Sequence, residues 1–286
     1  MTDQIETRGR SLIQHGDHSE RIYLMKLSDA DMPEILAELE DLAVARGYTK
    51  IFAKIPARHL PAFSAWGFVD EARVPGFFGG REDGVFVSRY FDDERRTLHD
   101  GNELLFNLQL AERKWGRGVG ETPPALRPQP AGPDDIEEMS RIYAEVFPTY
   151  PFPIQDPDYL RRTMAADVAY YCVREEGRIV ALASAEMDPD GGNVEMTDFA
   201  TRPDALGQGF AQHLLARMEQ DMRRRGFPTA YTIARSRSAG MNITFAKLRY
   251  VFAGMLVNNT NISGRIESMN VWYKPLDGTE RGPGTA

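Results

Sequence analysis

The sequence holds one cysteine, Cys172, among 286 residues. A lone thiol forms no internal disulfide, so nothing in the chain argues for an oxidising compartment. Long apolar runs are missing too. None approaches the roughly 18–20 residues that cross a bilayer, so no membrane partner is expected. The opening Met1-Thr2-Asp3-Gln4-Ile5-Glu6 lacks the basic-then-apolar order of a signal peptide, and the expected location is cytoplasmic. A basic excess is also absent. The 34 Lys and Arg face 42 Asp and Glu, a net charge of −8. Nucleic-acid binding draws most of its affinity from a basic face, so no nucleic-acid partner is expected. The acidity is compatible with a small cationic substrate. His15, His18, His59, His99 and His213 fall into no metal-ligand spacing, and no metal is inferred. What is present is ordinary for a globular chain, 42% hydrophobic and 27% charged, at a length of one large or two modest domains.

Glycine and proline concentrate between Gly116 and Pro133. Glycine removes backbone bias and proline removes an amide donor, so this stretch reads as a linker. It divides the chain into an N-terminal module over 1–115, a linker over 116–133, a C-terminal domain over 134–277 and a flexible tail over 278–286.

In the module, residues 22–27 read as a strand, and Met32, Ile35, Leu36, Leu39, Leu42 and Ala43 recur at helical spacing. Ser28 or Asp29 can cap that helix and Gly47 can end it. A strand over 49–55, a short helix over 61–66, a strand over 85–91 and a helix over 103–114 follow. After the linker, Ile136, Met139, Ile142, Tyr143 and Val146 mark a helix, and 158–165 a second. Strands over 169–174, 179–186 and 194–201 are joined by turns at Glu176-Gly177 and Asp190-Gly191-Gly192-Asn193. A long helix over 209–225, a strand over 229–234, a helix over 239–248 and strands over 251–257 and 266–274 complete the order. It predicts an α/β fold, a mixed sandwich with a mostly antiparallel sheet.

The two parts echo one another. Ala37-Glu38-Leu39-Glu40 ahead of Gly47-Tyr48 matches Ala216-Arg217-Met218-Glu219 ahead of Gly226-Phe227 at the same spacing. A strand, a short helix and two more strands follow each, the pattern of a degenerate repeat.

The most informative stretch runs from Glu195 to Ala211. A strand, Pro203 and the turn Leu206-Gly207-Gln208-Gly209-Phe210-Ala211 lead straight into an amphipathic helix. The first amides of a helix have no internal partner and its dipole is positive there, so the turn can hold a pyrophosphate. An antiparallel sheet argues against a dinucleotide-binding fold. Strand, proline and glycine turn together resemble the acyl-CoA motif of the GNAT superfamily of N-acetyltransferases. Gly209 and Ala211 fill its last two positions and Gly207 its common extra glycine. Leu206 departs, standing where Arg or Gln is usual. The resemblance implies the GNAT acyl-CoA N-acyltransferase fold, preceded by a degenerate GNAT-like half-domain. It implies acetyl-CoA as co-substrate, the amides of Gly207 to Ala211 as cradle, and Phe199, Ala200 and Thr201 beside the pantetheine arm.

A narrower similarity comes from Glu195-Met196-Thr197-Asp198-Phe199-Ala200-Thr201, Gly240-Met241-Asn242-Ile243-Thr244-Phe245-Ala246-Lys247-Leu248 and Asn258-Asn259-Thr260-Asn261. With the N-terminal module, these resemble bacterial and archaeal β-lysine N-acetyltransferases. That implies acetylation of the ε-amine of β-lysine to give a compatible solute. Two other readings stay open at this point. One is acetylation of another amine, a protein lysine or a polyamine. The other is a CoA-binding regulator without turnover, suggested by Leu206 and Phe245.

Acetyl transfer needs a neutral amine, held reactants and a stabilised oxyanion. Glu195 is the candidate base, acting through water from the strand expected to carry the thioester. By resemblance the Ala200 amide faces the thioester oxygen. Asp198 is expected on the opposite face by strand alternation. Phe245 occupies the position where the superfamily often has an acidic tyrosine, and Tyr250 is the substitute considered. Candidate acceptor contacts are Arg235, Arg237, Asn258, Asn259 and Asn261. Cys172 reads as strand packing. In the module, Asp29, Asp31 and Glu34 crowd the helix start where they would repel a pyrophosphate, so no CoA is expected there. Its expected role is to wall the acceptor pocket or to form a homodimer contact.

Overall fold

The computed structural model describes residues 3–121, 123, 126–278 and 282. The N-terminal part runs β1 (Gln4–Arg8), β2 (Ser11–Gly16), β3 (Arg21–Lys26), α1 (Glu34–Arg46), β4 (Lys50–Pro56), α2 (Leu60–Ala65), β5 (Val69–Phe78), β6 (Glu82–Tyr90), α3 (Asp93–Arg96) and α4 (Gly101–Glu112). The C-terminal part runs β7 (Gln129–Pro130), α5 (Ile136–Val146), α6 (Pro157–Ala165), β8 (Val168–Glu175), β9 (Arg178–Asp188), β10 (Asn193–Thr201), α7 (Phe210–Arg224), β11 (Thr229–Arg235), α8 (Ala239–Lys247), β12 (Val251–Ile262) and β13 (Arg265–Pro275).

Among the described residues these strands form one 13-stranded sheet, β1-β2-β3-β4-β6-β5-β12-β13-β11-β10-β9-β8-β7. With β7 set aside as an addition outside β8, β1-β2-β3-β4-β6-β5 and β8-β9-β10-β11-β13-β12, read toward the middle of the sheet, follow one plan. In each half a single parallel pair, β3 with β4 or β10 with β11, is bridged by a crossover helix, α1 or α7. Every other pairing is antiparallel. The sequence echo thus corresponds to a repeated topology, an α/β fold of two related halves.

Alternation along the strands sorts side chains to the two faces. Ile22 and Leu24 of β3, with Ile51, Ala53 and Ile55 of β4, pack beneath Ile35, Leu36 and Leu39 of α1. Tyr23 and Phe52 turn the other way, toward Tyr231 of β11 and the middle of the sheet. Gly47 ends α1 in the left-handed conformation, φ 67°. Ser28 and Asp29 do not cap α1, contrary to expectation: Pro33 is its N-cap, and Ser28 precedes a separate 3-10 turn, Asp29–Asp31.

The halves meet where β5 pairs with β12 at Ala72 and Gly254. A Cβ on Gly254 would lie 2.1 Å from the Glu71 carbonyl oxygen, so the close approach requires glycine. Beyond it β12 loses register with β13 between Leu256 and Thr260. That irregularity frees the carbonyls of Val257, Asn258 and Asn259. Cations of the N-terminal half take them: Lys50 Nζ at 2.7 Å, Arg95 Nε at 2.6 Å and Arg21 Nη1 at 2.9 Å. The first half is therefore stitched to the second by buried charge-assisted bonds.

The glycine-rich stretch expected as a linker is docked. The Gly116 and Gly118 amides donate to Ala246 and Lys247 of α8, each at 3.0 Å, and Trp115 Nε1 donates to the Tyr250 carbonyl at 2.9 Å. Gln129 and Pro130 add the edge strand β7. Residues 122, 124 and 125 of that stretch, and 279–281 and 283–286 of the expected tail, lie outside the described residues.

Candidate active site

After β10 the chain makes a 3-10 turn at Pro203–Ala205 and then the glycine turn. Gly207 and Gly209 have φ of 83° and 81°, and no atom lies within 4 Å of the Cβ either would carry. The demand for glycine is conformational: the left-handed region is costly for other residues. Gly209 is the N-cap of α7, no side chain caps that helix, and its first turn holds no acid. Free amides and the positive end of a 15-residue helix thus face the same space. Leu206, 65% exposed, stands at the mouth.

β10 and β11 pair only from Asn193↔Thr229 to Glu195↔Tyr231, although β10 runs on to Thr201 and β11 to Arg235. Beyond Glu195 the strands part, leaving the β11-facing edge of β10 without a strand partner. On its other edge β10 slips register with β9 between Thr197 and Ala200, and Asp198 sits at φ 54°. This bulge turns Asp198 into the cleft that Glu195 faces. Simple alternation had put the two on opposite faces; the extra residue overrides it.

The cleft, about 1010 Å³, lies between the halves and takes in both the glycine turn and the bulge. Three carboxylates converge in it. Glu195 and Glu186 are register partners on β10 and β9. Asp198 accepts from Tyr150 Oη at 2.5 Å and Ser184 Oγ at 2.6 Å. Tyr231 Oη donates to Glu195 Oε2 at 2.8 Å, and Lys54 Nζ donates to Tyr231 Oη at 2.7 Å. Burial pushes all three carboxyls above the ordinary carboxylate range. Glu186 goes furthest, since the charges of Asp198 and Glu195 add to its burial. Burial works against the Lys54 ammonium, yet Tyr23 and Glu195 hold its pKa above the usual lysine value.

Other expected site residues scatter. Phe199, Thr201, Phe245, Arg235 and Asn259 line the cleft. The Arg235 guanidinium is held by Glu267, Nε to Oε2 at 2.9 Å and Nη2 to Oε1 at 2.7 Å. Arg237 pairs with Asp100 and Glu103 of α4. Asn258 caps the Arg95 and Thr97 carbonyls, and Asn261 accepts from Thr149 Oγ1 at 3.3 Å. Tyr250 lies in the core beside Glu219 and Lys274, with none of its surface on the cleft. Arg237, Asn258, Asn261 and Tyr250 are thus not brought to the site. At the other helix start, Asp29 is bonded by Arg58 at 2.8 Å and His59 at 2.6 Å, and Asp31 by Ser11 Oγ at 2.6 Å. Among the described residues no His, Cys, Asp and Glu cluster is arranged to hold a metal.

A model of the acetyltransferase (GNAT) family matches residues 136–241, spanning α5 through the glycine turn to α8. The chain is 37% identical to the β-lysine N(6)-acetyltransferase of Methanococcus maripaludis over 264 residues, 92% of this chain and 96% of the relative. It is 28% identical to the N-acetyltransferase YodP of Bacillus subtilis over 277 residues, 96% of this chain and all of that one. Among solved structures, the ribosomal-protein-S18-alanine N-acetyltransferase of Escherichia coli is similar at 14% identity, covering 56% of this chain and 97% of that chain with a TM-score of 0.46. The chain belongs to the GNAT family of acetyltransferases. As a GNAT acetyltransferase it uses acetyl-CoA as acyl donor.

The residues present fit that donor. The uncapped amides of the glycine turn suit a pyrophosphate, and the open edge of β10 beyond Glu195 suits an extended amide-bearing arm. Phe199 and Phe245, in edge contact at 5.6 Å, give the cleft an apolar wall there. Sequence reasoning passed over Arg21, Tyr23, Lys54, Tyr150, Glu186 and Tyr231. No local motif marks them, because the folded sheet alone brings them together.

Proposed function

We propose that this acetyltransferase acetylates the ε-amine of β-lysine, with Glu195 as general base. The observation that carries the reading is the buried carboxylate group Glu186, Glu195 and Asp198, set beside the open edge of β10 and facing the N-terminal half. β-Lysine carries two ammonium groups and one carboxylate, and such a group of acids draws the diamine into the cleft. The name of the Methanococcus relative, alike over nearly its whole length, supports this acceptor.

Bound acetyl-CoA supplies an electrophilic thioester carbonyl. The protein holds it and prepares the amine. The amides of Gly207 to Ala211 hold the pyrophosphate, Phe199, Ala200 and Thr201 flank the arm, and the Ala200 amide faces the thioester oxygen. A lysine-type ammonium has a pKa of about 10.4, so its proton must be taken before attack. Glu195 takes it through a water. Burial raises the Glu195 pKa, the direction that strengthens a carboxylate as a base. Phe245 offers no proton to the departing sulfur, and water at the cleft mouth supplies one. We place the reaction in the cytoplasm and its product among compatible solutes.

Thiol release from acetyl-CoA, measured with β-lysine, α-lysine, spermidine and a lysine-bearing peptide, tests the acceptor. The expected order puts β-lysine first in kcat/KM. Turnover of the peptide or spermidine ahead of β-lysine would replace the reading. CoA binding with no turnover of any amine would favour a regulator.

A further inference from the structure

The N-terminal half has no glycine between β3 and α1, yet its strand β3 lines the cleft with Arg21, Tyr23 and Met25. Arg21 is 4% exposed. Its Nη1 donates to the Asn259 carbonyl, its Nε has no hydrogen-bond partner, and among the described residues no carboxylate lies within ion-pair distance. The guanidinium rests on the rings of Tyr23 and Phe52, 5.3 and 5.8 Å from their centroids. A buried cation ordinarily has an anionic partner, as Arg235 of this cleft has in Glu267. Burial lowers the Arg21 pKa to about 10, which leaves it charged at neutral pH. Beside it Asn259, 2% exposed and also lining the cleft, has no partner for its Oδ1.

We infer that Arg21 and Asn259 form the subsite for the zwitterionic head of the acceptor, Arg21 taking the carboxylate and Asn259 Oδ1 the β-ammonium. The inference rests on β-lysine as acceptor, whose amine-bearing carbon and carboxylate are separated by one methylene, so a donor and an acceptor side by side match it. The wall of the cleft runs continuously from this subsite to the base. Arg21 and Lys54 lie over the Tyr23 ring at 5.3 and 5.4 Å, Lys54 reaches Tyr231 at 2.7 Å, and Tyr231 reaches Glu195 at 2.8 Å. The acceptor lies along that wall, head on Arg21 and ε-amine at Glu195. In the repeat Arg21 stands at the register position of Asn193, and Tyr23 at that of Glu195. The strand that carries the base in one half carries the specificity residue in the other.

The test compares β-lysine with 1,4-diaminopentane, the same skeleton without its carboxylate, in the full-length wild type and in Arg21→Gln, Arg21→Lys and Asn259→Ala. Wild type should favour β-lysine by about 10- to 100-fold in kcat/KM, the worth of a charged hydrogen-bonded contact. Arg21→Gln should raise the β-lysine KM by a similar factor and collapse the preference toward one, with Arg21→Lys recovering part of it. Equal wild-type use of the two amines overturns the subsite without any variant, so a poorly folding Arg21→Gln does not shield it. So does an Arg21→Gln that slows both amines by one factor, the mark of a structural role. Wild-type failure to turn over β-lysine overturns the acceptor reading and the subsite with it. β-Lysine turnover with an unchanged preference in Arg21→Gln overturns the subsite alone.

Discussion

The two halves share a strand order and a crossover helix over a parallel pair, but their junctions differ. β3 passes to α1 through Asp29 and Asp31, acids engaged by Arg58, His59 and Ser11. β10 passes to α7 through two left-handed glycines and an uncapped helix start. The strands are alike in their irregularity. β3 slips register with β2 between Leu24 and Lys26 and leaves β4 after Leu24, as β10 slips with β9 between Thr197 and Ala200 and leaves β11 after Glu195. Both copies open a strand edge, so on the proposed reading it is the glycine turn, freeing the helix amides, that makes one junction a donor site. The copy with acids at its junction lines the cleft instead, through Arg21, Tyr23 and Met25.

Glu195→Gln is the hardest blow to that contrast, because the proposed base stands where the N-terminal half has Tyr23. Loss of a general base costs typically 10²–10⁴-fold, so kcat should fall by about that range while the KM for acetyl-CoA stays near wild type. Steady-state thiol release measures both, and an unchanged rate would return catalysis to another group. The pH profile sharpens it. A base works deprotonated, so activity is present above its pKa and is lost as pH falls through it. Burial raises that pKa, which sets the acid limb of kcat/KM above the ordinary glutamate value of about 4.3. Asp198→Asn removes a like charge from Glu195 and should move the limb to lower pH. The limb belongs to the carboxylates as a coupled group.

Gly209→Asp makes the catalytic junction resemble the N-terminal one. Left-handed backbone costs a non-glycine residue roughly 1–2 kcal/mol, and a carboxylate at the helix start opposes a pyrophosphate by up to about 1 kcal/mol. The KM for acetyl-CoA should rise by about 5- to 150-fold with the β-lysine KM far less affected. Equal rises in both would mean that the turn serves the whole cleft.

Local chemistry was legible in the sequence and long-range convergence was not. The glycine turn, its helix and the repeat are written in neighbouring residues. β1 was missed because Gln4-Ile5-Glu6-Thr7-Arg8 has little apolar alternation, and its place at the sheet edge asks for little. The bulge left no trace, since a left-handed aspartate obeys no composition rule. Lys54, Tyr231, Glu186 and Arg21 meet only because β3, β4, β9, β10 and β11 share one sheet, and spacing along the chain carries no hint of that.

The smallest expected effect separates proximity in sequence from membership of the site. Tyr250 follows α8 closely in sequence, which makes it the candidate proton donor to the departing sulfur. It is fully buried instead, in edge contact with Phe245 at 5.1 Å, with the Lys274 ammonium 5.7 Å from its ring and Glu219 beside its hydroxyl. Tyr250→Phe keeps the ring that packs and removes only a hydroxyl that faces the core. Both kcat and the acetyl-CoA KM should stay within about twofold of wild type, since 1.4 kcal/mol is needed for a tenfold change and no contact to the reacting atoms is lost. A drop of tenfold or more in kcat, with a basic limb displaced in the pH profile, would put Tyr250 back among the catalytic groups. It would also require the Phe245 wall to open during turnover.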